Sequence, residues 1–305
     1  MKSRNNISIP HPFPYQGSKR KIASKILRCF PNNVECLIEP FCGAAAVSIA
    51  AAVHNLAKSF YLNDLNEPLM KLWKEILESP NLLANQYKQL WDDQHSDRKE
   101  FFNNIREKFN LSQEPYQLLY LLARIVKGSV RYSAEGTFNQ SADNRRSGMR
   151  PRTMMMQIFG VSALLKGRTK ISAVDFRQVF PYARKQDLIY MDPPYQGTSF
   201  TRDHRYYGGL SFDEFVDSLY TLNDAQISYI ISYDGQTGNK SHGLRLPDEL
   251  SLKHLHIHAG RSTQATLLGS HEDTIESLYL SPALVERLGN QESKRTELSN
   301  VQQEL

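Results

Sequence analysis

The chain has 305 residues, 40% of them hydrophobic, and a net charge of +5. That is enough apolar material for one large domain, or a domain carrying an insertion, and it excludes a globally disordered chain. No apolar run reaches membrane-spanning length, the first residues lack the apolar segment of a secretory leader, and Cys29, Cys36 and Cys42 are too few and too scattered for a disulfide framework or a zinc site, so a cytoplasmic protein with reduced thiols and no membrane contact is expected.

In chain order, "VECLIEPFCGAAAVSIAAA" (34–52) predicts a short strand, a tight turn from Pro40 to Gly43 and a helix of small residues. "KSFYLNDLNEPLMKLWKEIL" repeats the pattern, with a strand over 59–62, a polar loop from Asn63 to Asn66 and a helix from about Pro68, a residue suited to a first helical turn. Two strand–loop–helix units in succession argue for a parallel α/β sheet. Helical periodicity then dominates "NLLANQYKQLWDDQ" and "PYQLLYLLARIV", followed by the loop-like "EGTFNQSADNRRSGMRP". Strand character returns at "TKISAVDF" (169–176), so residues 76–168 read as a mostly helical insertion between core segments 11–75 and 169–284. Between Arg124 and Lys170 the insertion holds ten Lys and Arg against two acids, Glu135 and Asp143. Such a tract, in a chain otherwise slightly acidic, is a candidate contact for phosphate. Beyond it, "DLIYM" predicts a strand, "LSFDEFVDSLYTL" a helix with Ser211 and Glu214 at capping-box spacing, and "QISYIISY", "LKHLHIHA" and "SLYLSP" further strands. Residues 285–305 form a polar tail expected to fray.

Two constellations carry chemistry. In "IEPFCGAA", Gly43 at a strand's end lets backbone approach a ligand, the next helix presents its N-terminus, and Asp64 follows 21 residues later, about where a carboxylate grips ribose hydroxyls in doubly wound folds. The turn lacks the phosphate-binding glycine pattern and begins with an acid, Glu39, which repels a pyrophosphate and suits a cation. S-adenosylmethionine, with its ammonium, sulfonium and ribose, fits this better than a nicotinamide dinucleotide. In "DPPY" (192–195), an apolar strand ends on Asp192, Pro193, Pro194 and Tyr195. An exocyclic aromatic amine is a poor nucleophile, because its lone pair is delocalised. The Asp192 carboxylate and the Pro193 carbonyl, held by a stiff turn, are two acceptors for its N–H groups, and Tyr195 offers a face for a flipped base. Catalysis would then come from positioning and from stabilising charge on the amine, without a metal.

These motifs, in this order over about residues 11–280, resemble the Dam-like, α-class DNA adenine-N6 methyltransferases. The resemblance implies an α/β, Rossmann-like S-adenosylmethionine-dependent methyltransferase core, the helical insertion serving as a target-recognition domain. "PYQGSKRKI" is similar to the family's first motif, which assigns Tyr15 and Lys19 to the methyl donor. "IEPFCGAA" looks like the donor-binding turn, with Glu39, Phe41 and Gly43, and "YLNDLNEP" like the ribose-binding segment, with Asp64. "AVDF" resembles the segment flanking the donor's adenine, with Asp175 and Phe176, and "DPPY" the catalytic motif, whose Asp192 also faces the donor. "VRYSAEGTFN" is similar to the family's recognition hairpin. Double-stranded DNA is the implied partner, a cognate restriction endonuclease is compatible, and a monomer is expected.

Two departures stand out. Ala45 replaces the second glycine of the donor turn, a mild change for a helix start, and after Phe138-Asn139 the chain continues Gln-Ser-Ala-Asp-Asn-Arg-Arg where GATC-reading members continue Val-Pro-Phe-Gly, so GATC is not implied as the target. Candidate DNA contacts are Lys127, Arg131, Asn139, Arg145, Arg146, Arg150 and Arg152, arginines for phosphates or guanine edges and Asn139 for adenine. The alternatives are cytosine-N4 methylation, which poses the same amine problem, and a non-catalytic DNA-binding protein on a methyltransferase-like core. His254, His256 and His258 alternate, so they share one face of a strand, without a fourth ligand at a recognised metal spacing.

Overall fold

Short apolar runs with both faces covered make the centre of the sheet, as parallel pairing requires. A computed structural model describes residues 8–94, 97–125, 128, 130, 132–133, 136–194, 211–237, 240–242, 244–261 and 273–291. Its strands are β1 (Val34–Glu39), β2 (Ala57–Asn63), β3 (Thr169–Ser172), β4 (Leu188–Met191), β5 (Tyr229–Thr237), β6 (Lys240–His242), β7 (Lys253–Arg261) and β8 (Asp273–Leu280). They form one sheet in the order β3-β2-β1-β4-β5-β8-β7, with β6 paired to β5. Pairing is parallel from β3 to β5 and antiparallel where β8, β7 and β6 join.

The period of two sorts the strand residues. Leu188 and Tyr190 of β4 face one hydrophobic core, Ile189 and Met191 the other. On the first face lie α1 (Ala23–Ile26), α2 (Ala46–Val53), α3 (Glu67–Glu78) and α7 (Pro151–Leu165), together with α4 (Pro80–Asp93), α5 (Arg98–Ser112) and α6 (Pro115–Arg124). Seven of the eight residues of α2 are buried, and its alanines let it sit close to its neighbours. α3 starts where Asn66 Oδ1 accepts from Leu69 N at 3.2 Å. α7 packs against α2, α3 and α4 at once, so the helices between residues 80 and 165 share one core with the first strand–helix units. The second face is covered by α8 (Phe212–Asp224) and the 3-10 turns Phe176–Gln178 and Phe180–Tyr182. Ser211 caps α8 by accepting from Glu214 N at 3.4 Å, in the expected spacing. Among the described residues no helix is long and apolar enough to cross a membrane.

Three features differ from the sequence expectation. "TKISAVDF" is a strand only as far as Ser172. The Asn63 side chain takes over pairing at Val174, bonding both its N–H (3.0 Å) and its carbonyl (2.9 Å), so the ladder ends there. The basic tract does not form one surface. Arg124 is buried, donating to Gln94 Oε1 and to the Tyr120 hydroxyl, and Lys170 sits over the rings of Tyr61 and Tyr182 at the sheet's β3 edge. Finally, the first residues of the expected tail belong to α9, a helix over 282–291, whereas 292–305 lie outside the described residues.

Arg287 explains why α9 is docked. Its guanidinium donates to the carbonyls of Asn33 (2.7 Å), Gln186 (2.9 Å) and Asp187 (2.9 Å), gathering the turn before β1 and the turn before β4. Hydrogen bonds from a charged donor are worth roughly 1.5–3 kcal/mol each, and less where water reaches them, as it does at Asn33 and Gln186. Arg287→Ala is expected to lower unfolding stability by about 2 kcal/mol, and Arg287→Lys to fail to restore it, because an ammonium cannot span the fork. Urea denaturation of the three proteins checks this; wild-type stability in Arg287→Lys would show that the fork is not needed.

Candidate active site

β1, β2 and β4 end at the same edge of the sheet, and the turns that follow them wall a cavity of about 360 Å³. Ligands in open α/β sheets bind at this carboxyl edge. Tyr15, Lys19, Glu39, Phe41, Gly43, Asp64, Asp175, Phe176, Asp192, Pro193 and Pro194 all line it, so the structure brings together residues spread over 180 positions of sequence.

The turn after β1 is built by backbone contacts. Gly43 has φ +47°, and a Cβ there would lie 3.1 Å from Tyr15 Cε1, so this position needs glycine both for its conformation and for the tyrosine ring laid against it. The Gly43 N–H donates to Asp64 Oδ2 (3.0 Å) and its carbonyl accepts from Trp73 Nε1 (2.8 Å). Asp64 Oδ1 accepts from Asn66 N at 3.0 Å, so one carboxylate joins the turns after β1 and β2. Burial raises the Asp64 pKa, and the two N–H groups oppose the rise. Ala45 is not the mild change its place at a helix start suggested. It too is left-handed, at φ +47°, a conformation that glycine adopts without strain and a Cβ disfavours.

Glu39 plays a different part from the one expected. It is buried, its Oε1 accepts from Ser48 N at 2.7 Å, and it thereby caps α2, whose N-cap residue has no side chain able to do so. Burial pushes its pKa up to about 8, so near neutral pH it is largely protonated and does not make the turn anionic. A cation bound beside it would draw the proton off again.

At the other wall β4 ends at Met191, and residues 192–194 leave the ladder, as two prolines require. Lys19, 7% exposed, lies 3.1 Å from Asp192 Oδ1 and 3.5 Å from Glu276 Oε2. The Asp192 pKa is pushed up to about 6, chiefly by burial, with Lys19 holding it down and Glu276 raising it. The Tyr190 hydroxyl, in the same wall, is buried beside Ser232. Phe41 and Phe176 pack 5.2 Å apart as an apolar side. Asp175 is taken up by Arg177, which holds both its oxygens (2.8 and 3.1 Å) and reaches Glu214 Oε1 at 2.7 Å. That pairing lowers the Asp175 pKa. Tyr195 lies outside the described residues.

The profile of the D12 class N6 adenine-specific DNA methyltransferases matches residues 15–249, from the tyrosine against Gly43 to beyond β6. The chain belongs to this family. It is 28% identical over 195 residues to a DNA adenine methylase of Haemophilus influenzae, covering 61% of this chain and 65% of that protein. It is 27% identical over 217 residues to the type II methyltransferase M.MjaIII of Methanocaldococcus jannaschii, covering 66% of this chain and 74% of that protein. The type II methyltransferase M.FokI of Planomicrobium okeanokoites aligns at 21% over 289 residues, 91% of this chain and 44% of its own length. The D12-class membership favours the adenine amine over cytosine-N4 and an enzyme over a bare binding module.

Two residues at or behind this methyltransferase's cavity escaped the sequence reading. Glu276 of β8, behind the wall on Lys19, is one; its signal is a carboxylate placed among apolar neighbours in "TIESLYL". Tyr132 is another. Buried beside Phe138 in an antiparallel bridge, it lines the cavity, and its hydroxyl accepts from Asn66 Nδ2 at 3.3 Å. Ser133 N donates to the Thr137 carbonyl at 2.8 Å, and Asn110 clamps the backbone of Phe138. Asn139, Arg145, Arg146, Arg150 and Arg152 are exposed beyond it, Arg145 and Arg146 both pairing with buried Asp143 (3.1 and 3.6 Å). Lys127 and Arg131 lie outside the described residues. His254 and His256 are neighbours, 4.3 Å between ring centroids, with His254 stacked on Tyr279, and among the described residues no three His, Cys, Asp or Glu side chains converge as a metal site would need. The side chain of His258 lies outside the described residues.

Gly43→Ala is expected to lower stability by about 1–2 kcal/mol, the cost of a left-handed Cβ, and to move Tyr15 off the turn. Urea unfolding followed by tryptophan emission reports the first effect, since Trp73 is bonded to Gly43. Unchanged stability would mean that the turn relaxes freely.

Proposed function

We propose that this chain methylates the N6 amine of an adenine in a specific sequence of duplex DNA, with S-adenosylmethionine as donor and the target base flipped out of the helix. The observation that carries the proposal is Asp192. It stands where β4 leaves the sheet, its carboxylate is held at 3.1 Å by a buried lysine, and it shares one cavity with Asp64 and the Phe41–Phe176 side.

The cavity residues fit such a donor. Asp64 would meet ribose hydroxyls, Phe41 and Phe176 the adenine face, and Tyr15 and Lys19 the amino-acid end. The buried Tyr190 hydroxyl can offer a hydrogen bond, and Glu39 can ionise beside a cation. Asp175, already paired with Arg177, would shape the adenine pocket through that ion pair rather than as a free acceptor. The bound donor supplies an electrophilic methyl group on a cationic sulfur.

The protein's own residues do the rest. Lys19 keeps Asp192 Oδ1 fixed and leaves Oδ2 for the target amine. The Pro193 carbonyl, freed from the ladder, takes the second N–H. Drawing both hydrogens toward acceptors turns the nitrogen toward tetrahedral geometry and makes its lone pair available; as the N–C bond forms the sulfur–methyl bond would break, leaving a neutral thioether, the carboxylate stabilises the positive charge that develops on nitrogen, and one N–H proton is then lost to solvent. Tyr195 would stack on the flipped base, and Pro194 stiffens the turn between them. Residues 76–168 would serve as the target-recognition unit on the core formed by 11–75 and 169–284. The exposed Asn139, Arg145, Arg146, Arg150 and Arg152, with Lys127 and Arg131, would meet the DNA, most of them through phosphates. The Tyr132–Asn66 hydrogen bond gives that unit a direct contact with the donor cavity.

Asp192→Ala is expected to lose methyl transfer by at least about a hundredfold, the usual loss for a charge-stabilising group, while retaining the wild-type circular dichroism spectrum. Wild-type activity would remove Asp192 from the chemistry. Reversing Arg145 and Arg146 to Glu is expected to weaken DNA binding and to reduce the salt slope of log K by about two. Fluorescence anisotropy across a salt series measures it, and an unchanged slope would place both residues off the interface. Methylation-sensitive sequencing of DNA from cells expressing the protein reports base and target sequence together.

A further inference from the structure

One ammonium that lines the cavity serves two carboxylates, Asp192 in the wall and Glu276 behind it. Lys19 comes from the 3-10 turn Lys19–Lys21, Asp192 from the end of β4, and Glu276 from β8, where it stands opposite Gly235 of β5 and Ile257 of β7. All three side chains are largely out of water, at 7%, 22% and 18% exposure. Burying one positive charge with two negative ones is costly, so its presence here calls for a use.

The use follows from what Asp192 has to do. A carboxylate gripped by a lysine alone is a weakened hydrogen-bond acceptor, because the ammonium already neutralises it. A carboxylate with no partner rotates and loses the geometry in which an amine could reach it. An ammonium has three N–H donors and no directional fork, so it can be divided between two acceptors.

We propose that Glu276 is a positioning residue for methyl transfer: by sharing the Lys19 ammonium, it lets Lys19 fix Oδ1 of Asp192 while Asp192 keeps its strength as an acceptor for the target amine. This rests on the reading of Asp192 as that acceptor.

The groups facing Asp192 can be named from each element around it. Lys19 and Glu276 are charged. Glu39 at the end of β1 and the Tyr190 hydroxyl in β4 are also near, both with pKa values raised by burial, so neither changes its charge around pH 6. An acid limb of activity in that region therefore reports Asp192, whose ionised form is the acceptor. The negative charge of Glu276 disfavours ionisation of Asp192. Removing that charge favours ionisation, so the acid limb moves to lower pH.

The test is the pH profile of kcat, measured with S-adenosylmethionine and unmethylated genomic DNA, for wild type, Glu276→Gln, Glu276→Asp and Asp192→Asn. In Glu276→Gln the acid limb is expected to move to lower pH, kcat on the plateau to fall by about tenfold, and KM for the donor to stay within about threefold of wild type. Glu276→Asp, which keeps the charge, is expected to keep the limb where wild type has it. An acid limb in Glu276→Gln that stays in place or moves to higher pH overturns the proposal, as does an equal displacement in Glu276→Asp. Asp192→Asn separates the two levels of argument. If it is inactive while the Glu276→Gln limb stays fixed, the role of Glu276 fails alone. If it keeps wild-type activity, the reading of Asp192 as amine acceptor fails, and the role of Glu276 with it.

Discussion

The Asp64 carboxylate accepts one backbone N–H from each of two turns, Gly43 after β1 and Asn66 after β2. Parallel strands that end at one edge leave their turns side by side, but nothing in strand pairing fixes how those turns face each other. Asp64 does so with both of its oxygens. From it follow the left-handed path of Gly43, the seat of Tyr15 on that glycine, and the placement of Asn66, which both caps α3 and holds Tyr132. These turns and the end of β4 together wall the cavity.

Burial holds back the ionisation of two acids in the cavity. Glu39 is kept neutral by burial while it caps α2, and Asp192 is pushed to about 6 with a single lysine between it and Glu276. Acids held in reserve in this way tolerate an empty cavity and gain from a positively charged occupant. An anionic cofactor would meet the opposite balance. Glu39 thus reconciles two demands, since a carboxyl can satisfy helix N–H groups in either protonation state and still respond to what binds beside it.

Much of the fold was legible, because apolar runs of strand length and helices with an apolar stripe are properties of local sequence. β1, β2, β4, β5, β7 and β8 stand where such runs predicted them, and α8 begins at its capping serine. That Lys19, Asp64 and Asp192 belong together was legible too, Asp64 and Asp192 from their motifs and Lys19 through the family resemblance, and all three line one cavity. The rest depended on neighbours distant in sequence. Arg124 reads as part of a basic tract until the helices close over it. Ala45 reads as an ordinary helix residue until the turn forces its φ positive. Arg287 reads as tail until three carbonyls from two turns converge on it.

The amino-acid sequence by itself determined the α/β alternation, the glycine turn after β1, the acid–proline–proline end of β4 and the excess of arginine between residues 124 and 170. Each is written in contiguous residues, where spacing and backbone preference suffice. Tertiary structure alone decided that Glu39 is a cap before it is a charge, that the basic tract divides between interior, sheet edge and surface, and that Glu276 shares Lys19 with Asp192. Those outcomes turn on burial and on distances of a few ångströms between residues as far apart as 19 and 276, which no local pattern encodes.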